Sequence, residues 1–315
     1  MDWKGYYEAE LLAPGARERA KQWICEAGDP RVAAAIDRRA ILSFPHSALS
    51  FSGPMQAEVV SALYRSGVDE VIALGVLHSG VLPAYRRALD AEVSESERDA
   101  AFAVVRGAFV PPEPVATTPF GDLHLLPTAE APIRSGHSGI LAAEFSLDTF
   151  LAMVRLGAEA FGRPPLRVLP VYVGMTREPS SGSFDAACEL ADWLKGASGP
   201  GTAVVTTGDL VHLGNAYGWT AEDVAAASRG VTLDQTLRGR VDSMLQLAFG
   251  GEMEEAYRSN LEALRNDQRE ILPVLVEHLS PNQQYGILAF QLSNYAPILG
   301  VEPPCWVASA LVAYG

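Results

Sequence analysis

A run of seven apolar residues, Val71-Ile72-Ala73-Leu74-Gly75-Val76-Leu77, breaks off at His78. An uninterrupted run of this kind belongs to a strand covered on both faces, because a strand with one wet face alternates apolar and polar side chains. Upstream, Arg39-Ala40-Ile41-Leu42-Ser43-Phe44 reads as a second buried strand and ends at Pro45-His46. Between the two, Met55-Gln56-Ala57-Glu58-Val59-Val60-Ser61-Ala62-Leu63-Tyr64 spaces its apolar positions as a helix does, and Gly67 stops it. Strand, helix and strand make a β-α-β unit that sets His46 and His78 on the same edge of one sheet.

The alternation continues along the chain. The stretch before Arg39 reads as helical or irregular lead-in. Residues 109–137 are rich in Pro, Gly and Thr and read as a long surface excursion that covers the site. A helix is expected over Leu147–Ala160, a strand over Arg167–Gly174, a helix over Phe184–Lys195 and a strand over Thr202–Thr207, which runs into Gly208-Asp209. Three further helices follow, and then two apolar segments, Ile287–Phe290 and Trp306–Ala313, that close the sheet as strands. Because no linker interrupts the 315 residues, the expectation is one α/β domain over residues 1–315, with a central, mostly parallel or mixed sheet flanked by helices.

The balance of charge narrows the partners. With 38 acidic against 24 basic residues the formal charge is −14, so the surface repels phosphate backbones and anionic headgroups, and neither nucleic acid nor membrane is expected. Met1-Asp2-Trp3-Lys4-Gly5 lacks the basic-then-apolar pattern of a signal peptide, and no apolar run approaches the ~20 residues of a membrane span, so a cytoplasmic chain is expected. Cys25, Cys188 and Cys305 are too widely separated for a metal clip or a disulfide framework and read as buried, inert thiols. There is no GxGxxG, P-loop or GxSxG, which leaves nucleotide binding by those routes and the serine-hydrolase elbow without support.

In an open α/β sheet, ligands bind beyond the carboxyl ends of the strands, where loops converge. Three polar groups fall there: His46, His78, and the pair Asp209 and His212. A neutral imidazole nitrogen suits iron, zinc or copper, so two on adjacent strand ends form half of a ligand set; half-buried histidines bonded to backbone are the competing reading. Asp209 and His212 are three residues apart, so a turn brings both toward one cleft, with His212 as acid/base or further ligand; a capping Asp and a surface His compete with that reading. Glu144 precedes a helix for which Ser146 is a plausible N-cap, so capping competes with a site role. His124, His137 and His278 read as lid, surface or helix-end groups.

Taken in order, several segments resemble the Memo family, which is similar in fold to the class III extradiol ring-cleavage dioxygenases of the protocatechuate 4,5-dioxygenase type. The marks are Phe44-Pro45-His46-Ser47, Leu74-Gly75-Val76-Leu77-His78, Thr118-Pro119-Phe120-Gly121, Glu144-Phe145-Ser146-Leu147-Asp148, Leu169-Pro170-Val171-Tyr172-Val173-Gly174, Thr207-Gly208-Asp209-Leu210-Val211-His212 and the tail from Ser293-Asn294-Tyr295-Ala296. The resemblance implies His46 and His78 as metal ligands and Asp209 and His212 as a polar pair lining the same pocket. The chain departs from the family in three places. It reads His46-Ser47-Ala48-Leu49 where the family shows His-Ala-Gly-Tyr, it has Phe145 where the family carries a histidine, and it lacks the Cys-Gly element whose cysteine completes the site.

At the cysteine's place stands Arg265-Asn266-Asp267-Gln268-Arg269. With Asp267 as third ligand the set becomes two histidines and a carboxylate, the facial triad that leaves iron(II) open positions for O2 and substrate. Asn266 or Glu270 are the alternatives, and Asp267 capping the next helix is the competing reading. The resemblance thus implies a non-haem iron(II) oxidoreductase, dioxygenase-like, acting on a small organic substrate with His212 moving a proton; zinc or copper are alternative metals. A metal- or peptide-binding protein without turnover, or a zinc-dependent hydrolase in the same cleft, are the alternative functions, and an oligomer stays open.

Overall fold

Four parallel strands form the frame on which everything else hangs. In the computed structural model, which describes residues 2–80, 82–128, 132–136, 138–227, 232–280 and 284–315, they are β1 (Ile41–Phe44), β2 (Glu70–Val76), β7 (Arg167–Val173) and β8 (Thr202–Thr207). The chain is α/β. Its main sheet has the order β10-β11-β1-β8-β2-β7-β3-β6, where β3 is Ala108–Val110, β6 Ile133–Ser135, β10 Tyr285–Asn294 and β11 Cys305–Tyr314. Strand β11 runs antiparallel to β1 and β10, and also pairs with the short β9 (Val211–Gly214); β3 is antiparallel to β7, so the sheet is mixed. Strands β4 (Val115–Thr118) and β5 (Gly121–His124) form a separate hairpin.

Burial on both faces is what the unbroken apolar strands demand. The helices Ala16–Glu26, Leu49–Arg65 and Asp148–Phe161 cover one face, where Phe44 of β1 stacks on Phe150 at 4.4 Å between ring centroids. The helices Asp185–Ala197, Leu233–Phe249 and Ile271–Leu279 cover the other, over Ile72, Val171 and Leu213. Each such side chain contributes about 1.5–3 kcal/mol when fully withdrawn from water. Among the described residues no helix is long and apolar enough to cross a membrane.

Three departures from the sequence expectations bear on the fold. The first crossover helix begins at Leu49, six residues before its apolar periodicity does. Its first turns are hidden by close packing of small residues: a Cβ on Gly53 would lie 2.3 Å from the Trp23 ring. The 109–137 stretch is not wholly a surface excursion, because β3 and β6 extend the sheet beyond β7, which would otherwise be an open edge. Cys25 and Cys188 are exposed rather than buried, on the outward faces of their helices, and Cys305 alone of the three is buried.

Parallel strands with β8 between β1 and β2 bring three chain turns to one edge. His46, His78 and Asp209 each sit two residues beyond the end of their strand, β1, β2 and β8 respectively. His212 lies on β9, held there by pairing with Val307 of β11.

Candidate metal centre

The four histidine and aspartate side chains singled out by position are joined by Asp267 at one point. Nε2 of His46 lies 3.2 Å from Nε2 of His78 and 3.2 Å from Oδ2 of Asp267, and Nε2 of His212 is 3.7 Å from the same oxygen. Two sets, His46/His78/Asp267 and Asp209/His212/Asp267, each keep their ligand atoms within 4.8 Å of one another.

Each imidazole is pinned through Nδ1, which fixes the tautomer. The Thr207 hydroxyl donates to the Phe44 carbonyl at 2.9 Å, so its oxygen accepts from Nδ1–H of His46 at 3.3 Å. Nδ1–H of His78 donates to the Glu144 carboxylate at 3.0 Å, and Nδ1–H of His212 donates to the Arg265 carbonyl at 2.8 Å. With Nδ1 of each ring committed as a donor, Nε2 is the atom that all three turn toward the same small volume. Glu144 is itself fixed by the backbone N–H groups of His78, Phe145 and Ser146. Its role is to hold His78, not to cap a helix; the Ser146 hydroxyl donates to Val76. Phe145 stacks on His78 with centroids 4.4 Å apart and the planes 17° from parallel.

Asp267 is set by a segment with no regular periodicity. The helix Met253–Ser259 widens into a π turn, Asn260–Leu264, and ends at Arg265 in the left-handed region with φ 53°. A non-glycine residue there costs about 1 kcal/mol or more, and here it aims the Arg265 carbonyl at His212. Gln268 then ties the segment to the sheet, donating to the Ser43 hydroxyl of β1 and accepting from the Tyr314 hydroxyl of β11. The fit against β8 is close: a Cβ on Gly208 would lie 2.4 Å from Cγ of Gln268. The Asp267 amide donates to the Asp209 carbonyl at 3.1 Å. Neither alternative ligand reaches the centre. The Asn266 side chain accepts from the Gln268 amide as a cap, and Glu270 is bonded to Thr176 and Tyr257.

The electrostatics are compatible with a bound cation. Oδ2 of Asp267 and Oδ1 of Asp209 are buried with no hydrogen-bond partner, a costly state for carboxylate oxygens unless a cation meets them. Burial pushes the Asp267 carboxyl up, but His212, His46 and His78 outweigh it and hold the group below the usual carboxylate range. Burial and then the Asp267 charge push Asp209 well above it. Burial keeps His46 below the ordinary imidazole value. For His78 burial acts the same way, but the Glu144 carboxylate together with Asp267 and Asp209 outweighs it and raises the pKa to about 9. Because Nδ1–H of His78 already donates to Glu144, a second proton on that ring would occupy Nε2, on the side of His46.

Above this centre opens a cavity of about 880 Å³, within the size range of small-molecule sites. Aromatic rings of Trp3, Tyr7, Phe145, Tyr217 and Tyr295 line it, with Arg86, Arg265 and Arg269. No described residue of 109–137 is in its wall; residues Pro111, Pro112 and Pro119 line a second cavity of about 430 Å³ instead, so the expected cover comes from the N-terminal helix Trp3–Leu12 and the 209–218 and 261–269 segments. His124 is exposed on β5, His278 is half-buried near the end of Ile271–Leu279, and His137 lies outside the described residues. No family model matches this chain, and no curated protein does either.

Proposed function

We propose that this chain is a Memo-like non-haem iron(II)-dependent oxidoreductase, of the dioxygenase-like kind, acting with O2 on a small organic substrate. The observation that carries the reading is the convergence of Nε2 of His46 and Nε2 of His78 on a buried, unpartnered Asp267 oxygen. Two imidazoles and one carboxylate form the set that leaves iron(II) with open positions, and the metal would supply O2 activation and substrate chelation there.

The chain's own groups do the rest. His46 and His78 hold the metal, and Thr207 and Glu144 keep their rings from turning. His212 handles the proton: its Nδ1–H is committed to the Arg265 carbonyl, so Nε2 is the atom that takes a proton from a substrate hydroxyl and later returns it. Asp267, 3.7 Å away, stabilises the imidazolium that forms. The aromatic wall receives the apolar body of the substrate and displaces water from it.

The Glu144–His78 pair also favours a second reading, a zinc-dependent hydrolase in the same cleft, since a carboxylate behind a ligating imidazole is a frequent feature of zinc sites. One experiment separates the two. The protein is purified without oxygen, its bound metals are measured, and oxygen uptake after iron(II) reconstitution is followed with a panel of catechols and small aromatic amides. Iron-dependent uptake that falls about 10²–10⁴-fold in His212→Ala supports the oxidoreductase. Zinc retention without oxygen uptake contradicts it.

A further inference from the structure

Asp267 belongs to two ligand sets, and the second is not used by the single-metal reading. We propose that the cleft holds a second divalent cation on Asp209, His212 and Asp267, with the Asp267 carboxylate bridging it to the ion on His46 and His78. Three observations carry this. The ligand atoms of Asp209, His212 and Asp267 lie within 4.8 Å of one another. Asp209 is only 3 % exposed, and its Oδ1 has no hydrogen-bond partner. His212 presents Nε2, because its other nitrogen donates to the Arg265 carbonyl.

Geometry shows why one ion leaves the arrangement incomplete: Asp209 and His212 gather their ligand atoms with Asp267 in a set that includes neither His46 nor His78. Oδ2 of Asp267 stands 3.2 Å from the His46 nitrogen and 3.7 Å from the His212 nitrogen, so it faces both positions. Carboxylate-bridged pairs with metals about 3.5–4 Å apart are a common arrangement. Two carboxylates and one imidazole favour manganese, iron, cobalt or zinc over a soft monovalent ion. The inference rests on His46, His78 and Asp267 as the first position, and its consequence is regulatory. A second ion takes the His212 lone pair, so the doubly loaded protein lacks the proton acceptor and is the off-state.

The test is a cobalt(II) titration of the metal-free full-length chain, read by visible absorption and by cobalt retained in equilibrium dialysis. Two equivalents are expected, the second at least tenfold weaker because the first repels it. His212→Gln and Asp209→Asn are each expected to leave one equivalent, and so is His46→Gln, which loses the other position. One equivalent in the unaltered chain overturns the proposal, as do two equivalents in both His212→Gln and Asp209→Asn. Loss of the first position is read from His46→Gln alone, so failure of the underlying site and failure of the second ion give different results.

Discussion

Two regions of this molecule supply the centre by opposite means. His46 and His78 stand at the ends of parallel strands, two residues beyond regular structure buried on both faces, and their positions follow from the β-α-β crossover. Asp267 comes from a segment containing a π turn, a left-handed arginine and a short 3-10 turn, tied to the sheet by side-chain contacts to distant parts of the chain. A sheet edge delivers ligands by topology. An irregular segment delivers them by tertiary packing.

That contrast can be broken most severely at the sheet edge. His46→Ala or His78→Ala is expected to abolish tight iron binding in anaerobic metal analysis. The fold survives in His78→Ala because Glu144 retains three backbone N–H partners. Full iron occupancy in both variants would mean the strand ends hold no metal.

One step outward the effect shrinks. Glu144→Gln keeps the shape but removes the charge behind His78, and a 10–100-fold loss of metal affinity is expected by competition against a chelator. An unchanged affinity would reduce Glu144 to a loop fastener.

The pH dependence gives a smaller, graded effect. Below about pH 9 the metal-free protein carries a proton on Nε2 of His78 that a metal must displace. Affinity should therefore rise about tenfold per pH unit toward pH 9 and flatten above it. The same shift stabilises the metal-free fold: the folded pKa lies above the unfolded value of about 6.5, so the contribution is full below that value and is lost as pH rises through 9. Melting temperatures of the metal-free chain across pH 6–10 check the sign, and Glu144→Gln should remove the slope.

The smallest effect belongs to the irregular segment. Gly208→Ala pushes a methyl group against Cγ of Gln268 and should cost about 1–3 kcal/mol of stability while weakening metal binding through Asp267. A variant that loses stability but keeps full affinity would show that Asp267 is positioned independently of β8.

The legible part of this structure was the part built from periodic pattern. A continuous apolar run announced β2, the strand–helix alternation announced β7 and β8, and the strand ends announced His46, His78 and Asp209, because a sheet buried on both faces writes its burial into consecutive residues. Asp267 was reached only through resemblance, and the choice among Asp267, Asn266 and Glu270 could not be made from pattern, since all three polar residues sit within one turn. What decides it is the clamp of Gln268 onto Ser43 and Tyr314, residues more than 200 and about 46 positions away. Thr207 and the Arg265 carbonyl were equally silent, because a strand-terminal threonine and a backbone oxygen carry no sequence signal of a hydrogen bond to an imidazole. The 109–137 stretch misled because its proline and glycine content masked two short strands, β3, which pairs with β7, and β6, which pairs with β3.

The central claim is that one metal is held jointly by the regular edge and the irregular segment. Its most direct test is anomalous X-ray scattering at the iron edge from crystals grown and loaded with iron(II) without oxygen. The account predicts a peak within bonding distance of Nε2 of His46, Nε2 of His78 and Oδ2 of Asp267. A fully loaded crystal whose only peak lies away from these three atoms would contradict it.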